Sequence, residues 1–232
     1  MRILLKLSGE MLAGDSPRGF DIERAKWIAA EVRKAQDAGA EVVITTGAGN
    51  IMRGRDFAND SVRQVTADNM GMLAIVINAL ALADVFNSVG VQTVALSNIQ
   101  ADQVIDQYTH RRALSHLAKG RAVIIGGGTG RPYVTSDSAA VSLALELDCD
   151  LVAKATKVDG VFDDDPEKNP KAKKIDQISH SDAIVNPKIQ VMDKAALGHA
   201  LENNLPIIVF ELLQEDSITK IAQSKPVGTR IG

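Results

Sequence analysis

An aliphatic run, Arg121-Ala122-Val123-Ile124-Ile125, passes directly into a segment rich in glycine, Gly126-Gly127-Gly128-Thr129-Gly130. The same order recurs where Glu41–Thr46 leads into Gly47-Ala48-Gly49-Asn50. Short runs rich in valine and isoleucine are typical of strands that are buried on both faces. Because segments with helical periodicity lie between these runs, the sequence predicts an α/β protein with a mostly parallel central sheet covered on both faces.

Six strands and six helices are predicted along the chain. The strands are Arg2–Leu7, Glu41–Thr46, 91–96, 121–125, 151–155 and 206–210. The helices are one capped by Asp21, then 62–86, 110–118, 138–147 and 188–203, and a short one from Ser217. The polar stretch 163–174 is predicted to be a surface excursion within a single domain of residues 1–232. Ligands of such sheets bind at the carboxyl ends of the strands, where nearly all the glycine clusters lie.

The composition limits the class of function. The chain has 232 residues, of which 45% are hydrophobic and 3% aromatic, and its formal net charge is -3. A chain of this length buries roughly 70–75% of its unfolded surface, enough for an extended aliphatic core. The near balance of charge leaves no basic stripe for nucleic acid, and few aromatic side chains are available to stack on bases. No nucleic-acid partner is therefore expected.

Metal ligands and membrane spans are also not expected. The single cysteine, Cys149, has no second cysteine with which to form a disulfide or a zinc site, and the four histidines lack metal-ligand spacing. The apolar stretch 70–86 is interrupted by Gly71, Asn78 and Asp84, and the amino terminus does not resemble a signal peptide. These features predict a cytoplasmic protein with no metal site of its own and no membrane partner.

The glycine segments do not match the two commonest phosphate motifs. No Walker A sequence is present, and the third position of the dinucleotide pattern is Met52 in one loop and Arg131 in the other. Glycine nevertheless lets backbone N–H groups approach an anion, and helix N-termini add positive potential. Any one loop could be merely a tight turn. Three such loops at one sheet edge, each near a charge or a hydroxyl, favour a site for several phosphates.

Two lysines interrupt the apolar strands near their carboxyl ends. Lys6 lies in the first strand, just before Ser8-Gly9, and Lys154 follows Leu151-Val152-Ala153. A charge in a buried strand is costly unless it meets an anion. We therefore predict that both lysines face phosphate and that Asp137, beyond the third glycine loop, organises them. The alternative is that the first strand lies at an edge of the sheet with Lys6 in solvent.

Six motifs follow one another in a characteristic order. They are Lys6-Leu7-Ser8-Gly9-Glu10, Gly49-Asn50-Ile51-Met52-Arg53-Gly54, Asp68-Asn69-Met70-Gly71-Met72-Leu73-Ala74, Gly128-Thr129-Gly130-Arg131-Pro132, Thr135-Ser136-Asp137-Ser138-Ala139-Ala140 and Lys154-Ala155-Thr156-Lys157-Val158-Asp159-Gly160-Val161-Phe162. Together they closely resemble the bacterial uridylate (UMP) kinases of the amino acid kinase family. The third and sixth motifs separate this branch from the carbamate, acetylglutamate and aspartate kinases.

The resemblance implies a three-layer αβα sandwich that transfers the γ-phosphoryl group of ATP to UMP, giving UDP for pyrimidine nucleotide biosynthesis. It implies Mg²⁺ bound with ATP and a homohexameric assembly. It further implies UTP as an inhibitor and GTP as an activator. The loop 14–20 differs from the loop linked to GTP activation in many relatives, so the response to GTP stays open.

The resemblance also assigns roles to residues. The catalytic set is Lys6, Arg53, Asp137, Lys154 and Asp193. The ATP contacts are Lys6, Leu7, Ser8, Gly9, Gly49, Arg53, Thr156, Phe162 and Asp165. The UMP contacts are Ala48, Asp68, Thr129, Gly130, Arg131, Pro132, Tyr133, Val134, Thr135 and Ser136. The N-terminal part would bind mainly UMP, and residues from about 150 to 232 mainly ATP.

Some positions depart from the family pattern. Ala48 stands where the family usually has glycine, and Ser136 where threonine is common. Because aromatic residues are scarce, we expect uracil to be read by backbone groups and by hydroxyls such as those of Thr129 and Ser136. Two rival hypotheses remain open: a kinase of the same fold that acts on a carboxylate or carbamate, and a nucleotide-binding protein without catalysis.

Overall fold

A mostly parallel sheet forms the centre of the molecule in a computed structural model that describes residues 1–52, 61–164, 169, 171–189 and 191–232. The strands are β1 (Arg2–Leu7), β2 (Glu41–Thr46), β3 (Thr93–Ser97), β4 (Asp106–Gln107), β5 (Ala122–Gly126), β6 (Leu151–Thr156), β7 (Val161–Phe162), β8 (Lys174–Ile175), β9 (Gln177–Ile178), β10 (Ile207–Glu211) and β11 (Thr229–Ile231). Nine of them follow the order β4-β3-β5-β2-β1-β6-β10-β11-β9, and β7 pairs with β8 separately. Within the described part of the large sheet, β10 and β11 are the antiparallel pair.

The alternation of side chains along β1 separates the two faces of the sheet. Ile3, Leu5 and Leu7 pack into the apolar cluster on one face, while Leu4 joins the cluster on the other. Because successive side chains of a strand point to opposite faces, Lys6 shares the face of Leu4. β1 lies between β2 and β6, so the edge-strand alternative for Lys6 is wrong.

Helices cover both faces, which confirms the predicted three-layer αβα sandwich. The helices are α1 (Ile22–Asp37), α2 (Gln64–Ser88), α3 (His110–Leu117), α4 (Ser136–Glu146), α5 (His180–Val185), α6 (Lys194–Glu202) and α7 (Ser217–Ala222), with a 3-10 turn at Gly9–Ala13. The core residues of α1, α2 and α7 pack on the face of Leu5. Those of α3, α4, α5 and α6 pack on the face of Leu4.

Capping residues set several helix boundaries. Asp21 caps α1 as predicted, because its carboxylate accepts a hydrogen bond from the Arg24 N–H at 2.8 Å. Thr135 caps α4, which therefore begins at Ser136, two residues before the predicted start. The helix predicted over 188–203 is wrong in its first part, because Asp193 is the N-cap and α6 begins at Lys194.

The short strands were not predicted from the sequence. β4, β7, β8 and β9 each contain two residues, too few to show a hydrophobic period. β7 and β8 pair with each other at the two ends of the polar stretch 163–174. Next to this pairing, the Asp163 N–H donates to the Lys173 carbonyl at 3.0 Å. This pairing is consistent with a surface excursion from the sheet.

The helix α2 is long and apolar enough, by length and composition alone, to cross a membrane. Half of its most apolar stretch is buried inside the protein. Its residues Val76, Ala79, Leu82 and Phe86 belong to the cluster that packs on the sheet. The helix thus has the packing of a core helix.

Candidate active site

Two lysines and one aspartate form an ion-pair cluster at the carboxyl ends of the central strands. Lys6 and Lys154 are register partners in β1 and β6. The Nζ atom of Lys6 lies 2.8 Å from Oδ1 of Asp137, and the Nζ atom of Lys154 donates to Oδ2 at 2.7 Å. All three side chains are at most 15% exposed. The structure therefore brings Lys6, Lys154 and Asp137 together, as predicted.

The start of α4 places Asp137 over the strand ends. The Thr135 side chain accepts a hydrogen bond from the Ser138 N–H at 3.1 Å, which fixes the first turn of α4. The hydroxyl of Thr135 donates to Asp193, whose carboxylate also accepts from the Ala196 N–H at 2.9 Å. Asp193 thus joins the N-termini of α4 and α6. It supports the helix that carries Asp137, and its charge also opposes the lowering of the Lys154 pKa by burial.

Electrostatics keep Asp137 ionised. Burial raises the pKa of its carboxyl, but the charges of Lys6 and Lys154 outweigh burial and hold the pKa below its ordinary value. Burial lowers the pKa of Lys154, and the neighbouring charge of Lys6 lowers it further. The Asp137 carboxylate raises this pKa, but not enough to restore the ordinary value. Two ammonium groups share one carboxylate, so the cluster offers positive charge to a further anion.

The first two glycine loops are in close contact beside this cluster. A Cβ atom on Gly9 would lie 2.5 Å from the Gly49 nitrogen and 2.6 Å from the Gly47 carbonyl oxygen, which excludes any other residue there. The Gly47 N–H donates to the Leu7 carbonyl at 2.9 Å. Ala48 has no positive φ, so alanine is accommodated where the family usually has glycine.

A small cavity of about 170 Å³ has Ser136, the residue before Asp137, in its wall. It is lined by Ala48, Asp68, Gly71, Met72, Ile75, Arg131, Val134 and Ser136. Five of these, namely Ala48, Asp68, Arg131, Val134 and Ser136, are predicted UMP contacts. The carboxylate of Asp68 accepts a hydrogen bond from the Tyr133 N–H at 2.8 Å, which ties α2 to the 129–134 loop.

The other predicted UMP residues lie around this cavity rather than in its wall. The Tyr133 ring is 74% exposed, and its backbone is left-handed, with φ 64°. The Thr129 hydroxyl accepts from the Arg131 N–H at 3.2 Å, and Thr135 is engaged with Asp193. Gly130 has a positive φ of 70°, which suits the turn before Pro132.

A second and larger cavity of about 760 Å³ has Thr156, two residues after Lys154, in its wall. It brings together two predicted ATP contacts, Gly49 and Thr156. The remaining wall is formed by Glu10, Met11, Gly14, Asp15, Ser16, Pro17, Arg18, Arg24, Met52, Lys157, Glu211 and Leu213. Leu7 is fully buried in the core, so its side chain is remote from a ligand, and Ser8, Gly9 and Phe162 are not part of this wall.

A family model for the amino acid kinase family matches residues 1–211. The chain belongs to the amino acid kinase family. A uridylate kinase of Rickettsia bellii is 47% identical to it over 230 residues, which are 99% of this chain and 96% of the relative.

Solved structures place this amino acid kinase near two bacterial enzymes. The UMP kinase from Bacillus anthracis is similar with a TM-score of 0.94 and 38% identity, covering 100% of this chain and 95% of that one. The UMP kinase from Ureaplasma parvum gives 0.91 and 32%, covering 100% and 98%. An aspartate kinase from Synechocystis, 18% identical with a TM-score of 0.77, shares the fold over all of this chain and 39% of its own.

Two predicted site residues of this amino acid kinase, Arg53 and Asp165, lie outside the described residues. Sequence reasoning missed the larger-cavity residues Arg24, Lys157 and Glu211, which stand outside the recognised glycine clusters. Within the described part of the chain, no three His, Cys, Asp or Glu side chains are grouped to hold a metal ion.

Proposed function

We propose that this chain is a UMP kinase that transfers the γ-phosphoryl group of ATP to UMP, giving ADP and UDP. The observation that carries the proposal is the buried Lys6–Asp137–Lys154 cluster, next to which two cavity-lining residues lie in the chain. Ser136 of the small cavity precedes Asp137, and Thr156 of the large cavity lies two residues after Lys154. Neighbouring residues of one loop belong to different cavities, because Ala48 lines the small cavity and Gly49 lines the large one. Such a junction suits two nucleotides that meet end to end at their phosphates.

The chemistry requires alignment and charge neutralisation more than proton transfer. The phosphate of UMP is largely dianionic at neutral pH, since its second pKa is about 6. One of its oxygens attacks the γ-phosphorus of ATP, the bond to the β–γ bridging oxygen breaks, and ADP leaves. Because the nucleophile is already anionic, no general base is needed. Lys6 neutralises charge on the transferring group, as the loose transition state of phosphoryl transfer demands.

Asp137 serves as an organiser in this scheme. Its lowered pKa keeps it ionised, so it has little tendency to take a proton. Its two oxygens instead hold Lys6 and Lys154 in fixed positions. Lys154 also donates to the Val191 carbonyl, which adds a second anchor from the segment before α6. The cluster is therefore preorganised before the substrates bind.

Recognition of UMP is proposed to rest on the small cavity and its rim. Asp68 would accept hydrogen bonds from the ribose hydroxyls, and Arg131 supplies positive charge at the same wall. The hydroxyls of Thr129 and Ser136 and nearby backbone groups would read uracil. The residues Gly130, Pro132, Tyr133, Val134 and Thr135 would shape the loop that closes over it.

ATP is proposed to occupy the larger cavity with Mg²⁺ on its phosphates. Mg²⁺ would enter as part of the Mg·ATP substrate and neutralise phosphate charge there. Gly49 and Thr156 line this cavity. Further contacts to ATP are proposed for Ser8, Gly9, the backbone of Leu7, Phe162, Arg53 and Asp165. UMP would then be bound mainly by the N-terminal part and ATP mainly by residues from about 150 to 232.

We also propose a homohexamer in the cytoplasm, and the exposed side of α2 supports contact between copies of the chain. Leu73 and Ile77, one helical turn apart, are 50% and 55% exposed, although Val76, Ala79 and Leu82 of the same helix are buried in the core. An exposed apolar stripe of this kind suits contact with another copy of the chain. Sedimentation analysis measures the number of copies directly.

A coupled assay of ADP formation tests the function. We expect ADP release with Mg·ATP and UMP, a much smaller rate with CMP, and none with carboxylate or carbamate acceptors. Turnover of an acyl acceptor in place of UMP would favour the rival kinase of the same fold, and no turnover at all would favour a binding protein. The same assay with added UTP or GTP tests inhibition and activation.

A further inference from the structure

We propose that Asn50 and Asn78 form a positioning pair that sets the loop 47–50 at the junction of the two cavities. Neither side chain lines a cavity, and both are fully buried. Asn50 ends the second glycine loop, and Asn78 lies in the middle of α2, on a helix whose other buried residues are mostly apolar. A buried amide among apolar neighbours needs partners, and each asparagine finds them chiefly in the other.

The two amides bond reciprocally. Nδ2 of Asn50 donates to Oδ1 of Asn78 at 2.8 Å, and Nδ2 of Asn78 donates to Oδ1 of Asn50 at 2.9 Å. Each nitrogen uses its second hydrogen on a backbone carbonyl, that of Gly19 at 2.9 Å for Asn50 and that of Gly47 at 3.0 Å for Asn78. All four amide hydrogens are satisfied. Because both carbonyls can only accept, they also fix which atom of each amide is nitrogen.

The pair joins three segments that carry the site. Asn78 shares α2 with the cavity residues Asp68, Met72 and Ile75, which lie within the preceding turns. Through the Gly47 carbonyl it holds the loop that contains Ala48 and Gly49. Asn50 in turn is bonded to Gly19, whose N–H donates to the Asn50 carbonyl at 2.7 Å. Gly19 directly follows the segment 14–18, which lines the larger cavity, so the pair also holds the end of that segment.

A fully satisfied buried polar network favours one geometry over others. The loop 47–50 approaches Gly9 so closely that small displacements of either loop would cause clashes or open a gap. This inference rests on the proposed kinase function, because the effect expected is misalignment of the two phosphate groups. Misplacement by about 1 Å can lower the rate of an aligned reaction by about 100-fold.

The test compares Asn78→Ala with a control on the same helix, Leu82→Ala. Leu82 lies one turn further along α2 and is also fully buried, but it packs in the core and has no bond to the loop. Both variants are assayed with UMP and Mg·ATP at a temperature where circular dichroism shows them folded. We expect kcat of Asn78→Ala to fall by about 10- to 100-fold with KM values changed less, and kcat of Leu82→Ala to stay within about threefold.

Two further measurements separate positioning from general loss of stability. Asn50→Ala should reproduce the loss in kcat, and the double variant should lose no more than either single variant, because one pair is removed once. Amide hydrogen exchange should increase in segments 14–20 and 47–52 of Asn78→Ala and not of Leu82→Ala. If Asn78→Ala does not fold, Asn50→Ala takes its place, because it removes the same pair from the side of the loop.

The outcomes distinguish the two proposals. If the unaltered protein releases no ADP in response to UMP, the proposed function is wrong. If the unaltered protein is active and Asn78→Ala retains kcat within threefold, or loses no more than Leu82→Ala, the positioning role is wrong. Additive losses of kcat in the double variant would also contradict the proposal that Asn50 and Asn78 act as one pair.

Discussion

Lys6 and Lys154 face each other from neighbouring parallel strands, and a single carboxylate, that of Asp137, contacts both ammonium nitrogens at 2.8 and 2.7 Å. Neighbouring strands are about 4.8 Å apart, so two lysines in register would repel each other strongly in a buried setting. The shared carboxylate relieves this repulsion and leaves positive charge available. The arrangement holds cationic groups ready for phosphate before any substrate arrives.

Replacing Lys6 by alanine should lower turnover far more than it alters folding. We expect kcat to fall by about 10²- to 10³-fold, because a charge placed at the transferring group is lost. Steady-state kinetics with UMP and Mg·ATP measure the effect. Lys26→Ala is the control, since Lys26 forms a surface pair with Glu23 away from the cluster and should leave kcat unchanged. Near-normal turnover of Lys6→Ala would remove Lys6 from the mechanism.

Replacing Asp137 by asparagine should destabilise the fold at neutral pH. Two buried ammonium groups would lose their shared counter-ion, at a cost of about 3–5 kcal/mol in the free energy of unfolding. Urea denaturation at pH 7 measures this cost. Glu23→Gln, which removes the exposed partner of Lys26, is expected to change stability by less than about 0.5 kcal/mol.

The pH dependence of stability follows from the same carboxylate. Because folding lowers the pKa of Asp137, its contribution is complete above the ordinary value of 3.8 and is lost as the pH falls through the folded value. The difference in stability between the natural protein and Asp137→Asn should therefore be constant from pH 5 to 7 and shrink below pH 3.8. Urea titrations of both proteins across this pH range measure the difference in stability. If that difference grew as the pH fell, the lowered pKa assigned to Asp137 would be contradicted.

Replacing Asp68 by alanine should affect UMP selectively. Loss of a charged hydrogen-bond acceptor costs about 1.5–3 kcal/mol, so KM for UMP should rise by about 10- to 150-fold while KM for ATP changes little. Gln64→Ala is the matched control, because Gln64 donates to Asp68 at 2.7 Å but does not line the cavity. An equal rise in both KM values would place Asp68 outside the UMP site.

Two glycine substitutions should have opposite effects on stability. Gly9→Ala would place a methyl group 2.5 Å from the Gly49 nitrogen, so both stability and turnover should fall. Gly198→Ala, in the middle of α6, meets nothing within 4 Å and should stabilise the protein by about 0.5–1 kcal/mol. Thermal unfolding of both variants measures whether the two changes in stability have opposite signs. A neutral Gly9→Ala would mean that the two loops are not as close as described.

Local patterns were sufficient to predict much of the fold and part of the site. The bounds of β1 and β2 agree with those predicted, because both strands are mostly aliphatic and are followed closely by glycine turns. The cost of burying Lys6 and Lys154 indicated that both meet an anion and that Asp137 organises them, and in the structure both contact Asp137. Here the energetic argument from single residues was enough. The predicted contact of both lysines with phosphate stays a prediction.

Contacts between distant segments were not predictable in the same way. Asn78 interrupts an apolar stretch, but its partner Asn50 lies 28 residues earlier and no spacing rule joins them. The predicted start of the helix now called α6 is too early because apolar residues continue upstream of Asp193, which caps the helix by accepting a hydrogen bond from the Ala196 N–H. The asparagine pair, in contrast, is formed by tertiary hydrogen bonds that local preference does not indicate.

Identification of the products tests the central claim most directly. The purified protein is incubated with Mg·ATP and UMP, and the nucleotides are separated by anion-exchange chromatography. UDP and ADP should appear in equal amounts, both should depend on UMP, and Lys6→Ala should slow their formation by about 10²- to 10³-fold. ADP without UDP, or UDP formed equally fast by Lys6→Ala, would contradict phosphoryl transfer to UMP at this cluster.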